Sequence, residues 1–213
     1  MQRRKALVLP VLVFCYLLGS AVAQTAAPAG AMTLTPQERE FALQQFQTSR
    51  DNFLKSIAGL SQKQWTFKPA PDRWSIAEVA EHITVSESTI FSVVQKAMQS
   101  PAAPEKREQV KGKEQILLQR MPDRSHKAQA PEILRPTGRF ATEADLVKAF
   151  EQARAANMEY VRTTNDDLHD HFFDHPAFGT LDGYQWLLLI SLHSTRHTEQ
   201  IQEVKADPNF PKE

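Results

Sequence analysis

Cysteine is all but missing from this chain: Cys15 is the single one among 213 residues, and it lies inside an N-terminal apolar run. Past that run there is no thiol, which excludes disulfides, thiolate metal ligands and a cysteine nucleophile. Any metal site must therefore be built from His, Asp, Glu or water. Glycine is scarce as well, with seven in the chain, and that argues against a turn-rich all-β fold. Charge of one sign is absent, since 25 basic residues balance 25 acidic ones. That is not the electrostatic footprint of a nucleic-acid binder. Long hydrophobic runs are missing too. Ala6 to Leu18, broken by Pro10, falls short of the roughly 20 residues that span a bilayer.

What the N-terminus does contain is a processing signal. Gln2-Arg3-Arg4-Lys5 is a basic n-region, Ala6 to Leu18 an apolar core, and Ala21-Val22-Ala23 a small-x-small cleavage motif. Residues 1–23 read as a secretory signal peptide cut between Ala23 and Gln24. The product is exported, periplasmic or extracellular, with no stable membrane span. Losing Arg3, Arg4 and Lys5 leaves 22 basic residues against 25 acidic, a net charge of −3. About 190 residues suit one domain with a sizeable core. Residues 24–33, rich in alanine, read as a linker; 34–205 as the folded domain; 206–213 as a tail.

Apolar residues in the domain recur at helical spacing, so the expected class is all-α with no sheet. A first long helix runs from Thr35 to Gly59, with Pro36 in its first turn. A loop bearing Trp65, Phe67 and Trp74 follows. Ser75 caps a second helix that reaches Ser100 on the stripe Ile76, Val79, Ile83, Ile90, Val93, Val94 and Met98. Residues 101–139 are Pro-rich and polar, with one short helix at Glu114 to Gln119, and are expected to be mobile or to form a lid. A third helix spans Thr142 to Thr164 and a fourth Asp182 to Lys205, separated by a loop over 165–181. Four long helices with a long connection between the second and third predict a four-helix bundle.

His193 and His197 are four apart and share a helical face. That face continues through Trp186, Ile190, Ile201 and Val204, the core stripe. His82 sits likewise on the inward side of the second helix, after Val79. Buried imidazoles need hydrogen bonds or a metal. Three neutral imidazoles meeting at one point leave coordination positions open, as catalytic sites do. The pair alone is equally compatible with core histidines bonded to backbone or carboxylate. No Glu follows His193, so the zinc-protease helix pattern is absent.

The segment Ser75-Ile-Ala-Glu-Val-Ala-Glu-His82, following Asp72-Arg73-Trp74, resembles the second-helix motif of the DinB-like superfamily. Leu187 to Gln200, with His193-Ser-Thr-Arg-His197 and the trailing Glu199-Gln200, resembles its fourth-helix motif, and the Phe178-Gly179 step also fits. The resemblance runs from Thr33 to Lys205. It implies a four-helix bundle holding a divalent metal, zinc or nickel foremost, on His82, His193 and His197. Metal-dependent hydrolases and thiol-dependent transferases and isomerases belong to the family. The export signal departs from its mostly cytoplasmic members, and low-molecular-weight thiols are cytosolic, so hydrolysis is the default reaction. A thiol S-transferase-like enzyme and a non-catalytic metal- or ligand-binding bundle are the alternatives. The partner is a small-molecule substrate, and a homodimer stays open.

Of four other features, three have two or more readings each, and Glu81 has one. The cluster His169-Asp170-His171-Phe-Phe-Asp174-His175 is a solvated loop, a second metal site, or a source of an acid/base over the main site. Glu81 should point about 100° away from His82. Glu199 either orients a ligand or is solvated. Arg196 either borders the cavity or pairs at the surface. The export reading predicts a mature N-terminus at Gln24; intact-mass measurement on protein from its native host checks it, and a mass that includes residues 1–23 contradicts it.

Overall fold

The computed structural model describes residues 33–126 and 129–212; residues 1–23, read as a signal peptide, and all but the last residue of the stretch 24–33, read as a linker, lie outside the described residues. Among the described residues four long helices dominate: α1 (Pro36–Ile57), α3 (Ile76–Met98), α6 (Glu143–Thr163) and α7 (Gly183–Lys205). Three short ones punctuate the connections: α2 (Gln62–Thr66), α4 (Arg107–Val110) and α5 (Lys113–Arg120). Each long helix starts at a side-chain cap. Thr35, Ser75, Thr142 and Asp182 each accept a hydrogen bond from the backbone N–H three residues on. This satisfies donors that the first turn otherwise leaves bare. Gly59, at φ +70°, takes the left-handed conformation just past the end of α1.

Both α7 and α6 pack chiefly against α1 and α3. Thus α1 and α3 lie on one diagonal of the bundle, and α6 and α7 on the other. The apolar core falls into two clusters. One gathers Phe46, Val94, Val161, Leu187 and Leu188; the other Phe53, Ile57, Ile76, Val79, Ile83, Phe150, Ile201 and Val204. A polar layer accompanies them at mid-height. Arg154 of α6 is 0% exposed, pairs with both carboxylate oxygens of Glu87 on α3 (2.9 and 2.5 Å), and donates to the Phe46 carbonyl, Ser49 and Ser194. Asn157 adds a donor to Glu87. A buried ion pair of this kind is tolerable only when its remaining hydrogen-bonding capacity is filled, as here.

The expectation of no sheet is corrected. The segment 165–181, read as loop, and Asp182, read as the start of the fourth helix, include an antiparallel hairpin: β1 (Phe172–His175) pairs with β2 (Gly179–Asp182), and Phe172 faces Asp182 while His175 faces Gly179. The turn between them needs a left-handed residue, which Gly179 supplies at φ +66°.

The connection after α3, whose residues 101–139 were expected to be mobile or to form a lid, is tied to the bundle at several of its described residues. Arg107 pairs with Asp170. Lys113 donates to the carbonyls of Phe178 and Thr180 in the hairpin. Gln185 of α7 donates to Val110 O and to Glu114, both at 2.9 Å. Arg124 binds both oxygens of Glu203. Among the described residues, no helix is long and apolar enough to cross a membrane.

Candidate metal centre

His82 lies on the inward face of α3 between Val79 and Ser86, and is 2% exposed. His193 and His197 project from one face of α7, one turn apart, and are half-buried. Since α3 packs along α7, the three rings meet. His82 Nε2 is 3.2 Å from His193 Nε2 and 3.1 Å from His197 Nε2. Nitrogens bound to one ion at about 2.0–2.1 Å stand roughly 3–3.4 Å apart. Among the described residues this trio is the group of His, Cys, Asp and Glu side chains that could hold a metal ion.

The outer nitrogens of the rings decide what the inner ones can do. His82 Nδ1 lies 2.7 Å from the carbonyl of Leu134. A carbonyl only accepts, so Nδ1 carries the proton and Nε2 presents a lone pair. His197 Nδ1 lies 2.8 Å from Gln200 Oε1, and Arg124 donates to that same oxygen. The arginine contact fixes the amide's orientation, so His197 Nδ1 is the donor and its Nε2 is bare as well. Two bare nitrogens then face each other at 3.1 Å, and one proton on His193 could serve only one of them. His193 Nδ1 is itself buried without a partner. A cation at the point of convergence satisfies every lone pair at once. The donor set is thus that of a metal site with protein-held outer bonds on two of its three rings.

The electrostatics agree with that reading. Burial pushes His82 below the usual imidazole range, against the Leu134 hydrogen bond, which favours protonation. His193 is held well below that range by burial first, then by the charges that His197, His82 and Arg196 would carry. Burial and His82 depress His197 in the same way, opposed by Gln200. All three rings are therefore neutral at neutral pH, the state in which imidazole binds a metal.

The loop histidines are not brought to one point. His169 bridges Asp182 and Glu38, at 3.2 and 3.4 Å. The backbone carbonyl of His171 accepts from Gly183 N. His175 Nδ1 accepts from the N–H groups of Ala177 and Phe178, closing the hairpin turn. Its ring rests 5.2 Å from that of Trp186, two turns before His193 on the same face of α7. The Arg196 guanidinium donates to the carbonyls of Met121, Asp123 and His126, and its charge is among those that hold His193 and His197 down. Glu199 is exposed. Sequence reasoning missed two parts of the site. Gln200, three residues after His197 and so on its face, was legible in principle. The Leu134 carbonyl has no side-chain signature at all.

Four long helices around three convergent imidazoles, two of them braced from outside, define a four-helix bundle with a candidate metal site. The chain belongs to the DinB superfamily, whose family model matches residues 45–201. It is 26% identical over 160 residues to the uncharacterized protein YuaE of Bacillus subtilis (strain 168), covering 75% of this chain and 94% of that one. Its fold is shared with YfiT from Bacillus subtilis, described as a probable metal-dependent hydrolase with an unusual four-helix bundle topology. There the TM-score is 0.55 at 12% identity, over 81% of this chain and 89% of YfiT. A second solved four-helix bundle protein, TT2238, gives a TM-score of 0.51 at 17% identity, over 78% of this chain and 98% of that one.

His193→Ala should abolish stoichiometric zinc binding while leaving the helical circular-dichroism signal largely intact, because apolar burial supplies most of the folding energy. Full metal content in the variant, measured by elemental analysis, would show the site assignment to be wrong.

Proposed function

We propose that this protein is an exported metal-dependent hydrolase that holds a divalent ion, zinc or nickel, on His82, His193 and His197. The observation that carries the reading is the meeting of three ring nitrogens, with the protons of two of the rings, His82 and His197, turned outward. Three protein ligands leave room for water and substrate, where a closed structural site would use four. When bound, the ion would lower the pKa of a coordinated water and polarise the oxygen of a carbonyl or phosphoryl substrate. The chain's own part is to hold the three imidazoles neutral and at fixed angles. His175 supplies a further polar group toward that end of α7. Burial keeps its ring neutral, its Nδ1 is taken up by the turn, and so Nε2 bears the proton and can donate to a substrate oxygen. Export rests on the sequence of residues 1–23. It favours hydrolysis over transfer to a low-molecular-weight thiol, because water is the co-substrate available outside the cytosol.

The test is a panel of carboxylic ester, amide and phosphoester substrates. It is run on chelator-stripped protein before and after zinc or nickel is restored. Hydrolysis should appear only with metal and fall by at least ~100-fold in His197→Ala. Fully loaded protein that turns over no member of the panel contradicts the hydrolase reading.

A further inference from the structure

Glu81 precedes His82 and points elsewhere, yet its carboxylate reaches the same stretch of chain that His82 does. It is 5% exposed and accepts two successive backbone N–H groups, Thr137 at 2.8 Å and Gly138 at 2.9 Å. Gly138 sits in the left-handed region at φ +76°. That conformation lets two neighbouring N–H groups serve one anion. A few residues upstream, the 3-10 turn Glu132–Leu134 presents the carbonyl that accepts from His82 Nδ1 at 2.7 Å. Arg139 ties the two ends of this stretch together. It donates to the carbonyls of Ile133 and Arg135 and lies 3.7 Å from the Glu81 carboxylate. Residues 133–139 thus form a braced unit, and α3 grips it at two points through adjacent residues.

We infer that Glu81 is a positioning residue for the metal site. By anchoring the Thr137–Gly138 backbone, it sets where the Leu134 carbonyl stands, and that carbonyl fixes the angle and tautomer of His82. The inference rests on the reading of His82, His193 and His197 as metal ligands, and deepens it. A carboxylate is required because both partners are donors. A glutamine would offer one oxygen to one N–H and turn its own NH2 toward the other. Losing that grip takes the acceptor from the Thr137 and Gly138 N–H groups and frees the Leu134 carbonyl to move.

The experiment compares wild type with Glu81→Gln and Glu81→Asp. All three are stripped of metal, then titrated with zinc against a competing chelator and with cobalt(II) by visible absorption. We expect Glu81→Gln to bind zinc about 10–100-fold more weakly, as loss of an outer partner of a metal-bound histidine does. Its cobalt(II) bands should shift, because ring orientation changes the ligand field, while the helical signal stays. Glu81→Asp keeps the charge at shorter reach and should fall between the two. A residue that only stabilises the connection would lower the melting temperature and leave affinity and cobalt bands as in wild type; that result overturns the inference. If Glu81→Gln does not fold, Glu81→Asp carries the test, and wild-type affinity with wild-type bands in that variant overturns the inference too. Wild-type protein that binds neither ion removes the metal reading itself. Tight wild-type binding with unchanged variants defeats this inference alone.

Discussion

Three imidazole nitrogens pointing at one another inside a helical bundle are the constraint on which the rest of this structure turns. His82 Nε2 stands 3.1–3.2 Å from the other two, and with the protons of His82 and His197 committed outward those two nitrogens repel unless something positive sits between them. Everything that holds the rings in this arrangement works against that repulsion. The Leu134 carbonyl holds His82, Gln200 backed by Arg124 holds His197, and the packing of α3 on α7 fixes the spacing of the two helices. If an ion occupies the site, binding it would stabilise the fold, by mass action, in proportion to the affinity.

The second polar feature of the interior serves the first. Arg154 and Glu87 fasten α6 to α3, and Ser194, the residue after His193, donates to Glu87 and accepts from Arg154. That network ties the turn of α7 bearing His193 to α3, the helix bearing His82, at a defined height. An apolar layer could slide or repack with little penalty, whereas a network of directional bonds to a buried charge has one low-energy register. Outside the bundle, the connection over 99–142 extends this fixation. Its attachments at Glu81, Gln185 and Arg196 all belong to the two helices that carry the trio.

The helices, and the inward placement of each histidine on its own helix, were legible in the sequence because they depend on residues close together in the chain. Pro36, Ser75, Thr142 and Asp182 mark helix starts by local chemistry, and His193 and His197 reveal a shared face by spacing alone. His82 stood out as an imidazole within an apolar stripe. Other features depended on distant partners. Arg154 lies four residues after Phe150 and shares its buried face, but an arginine reads as surface unless Glu87, far away in the chain, is known to meet it. The hairpin escaped because four-residue strands with polar Asp174 and His175 show no clear alternation. Glu81 was read as pointing away from His82. It does, and that direction leads to the backbone that orients His82. Side-chain patterns cannot announce a backbone partner such as Leu134 O.

The central claim is that the three nitrogens are ligands of one ion. Anomalous diffraction from crystals of metal-loaded protein, recorded at the absorption edge of the bound metal, tests it most directly. The account predicts one strong anomalous peak among His82, His193 and His197, about 2.0–2.2 Å from each Nε2, with His82 Nδ1 still on the Leu134 carbonyl. Stoichiometric metal whose peak lies elsewhere, or no peak among the three rings in fully loaded protein, would contradict it.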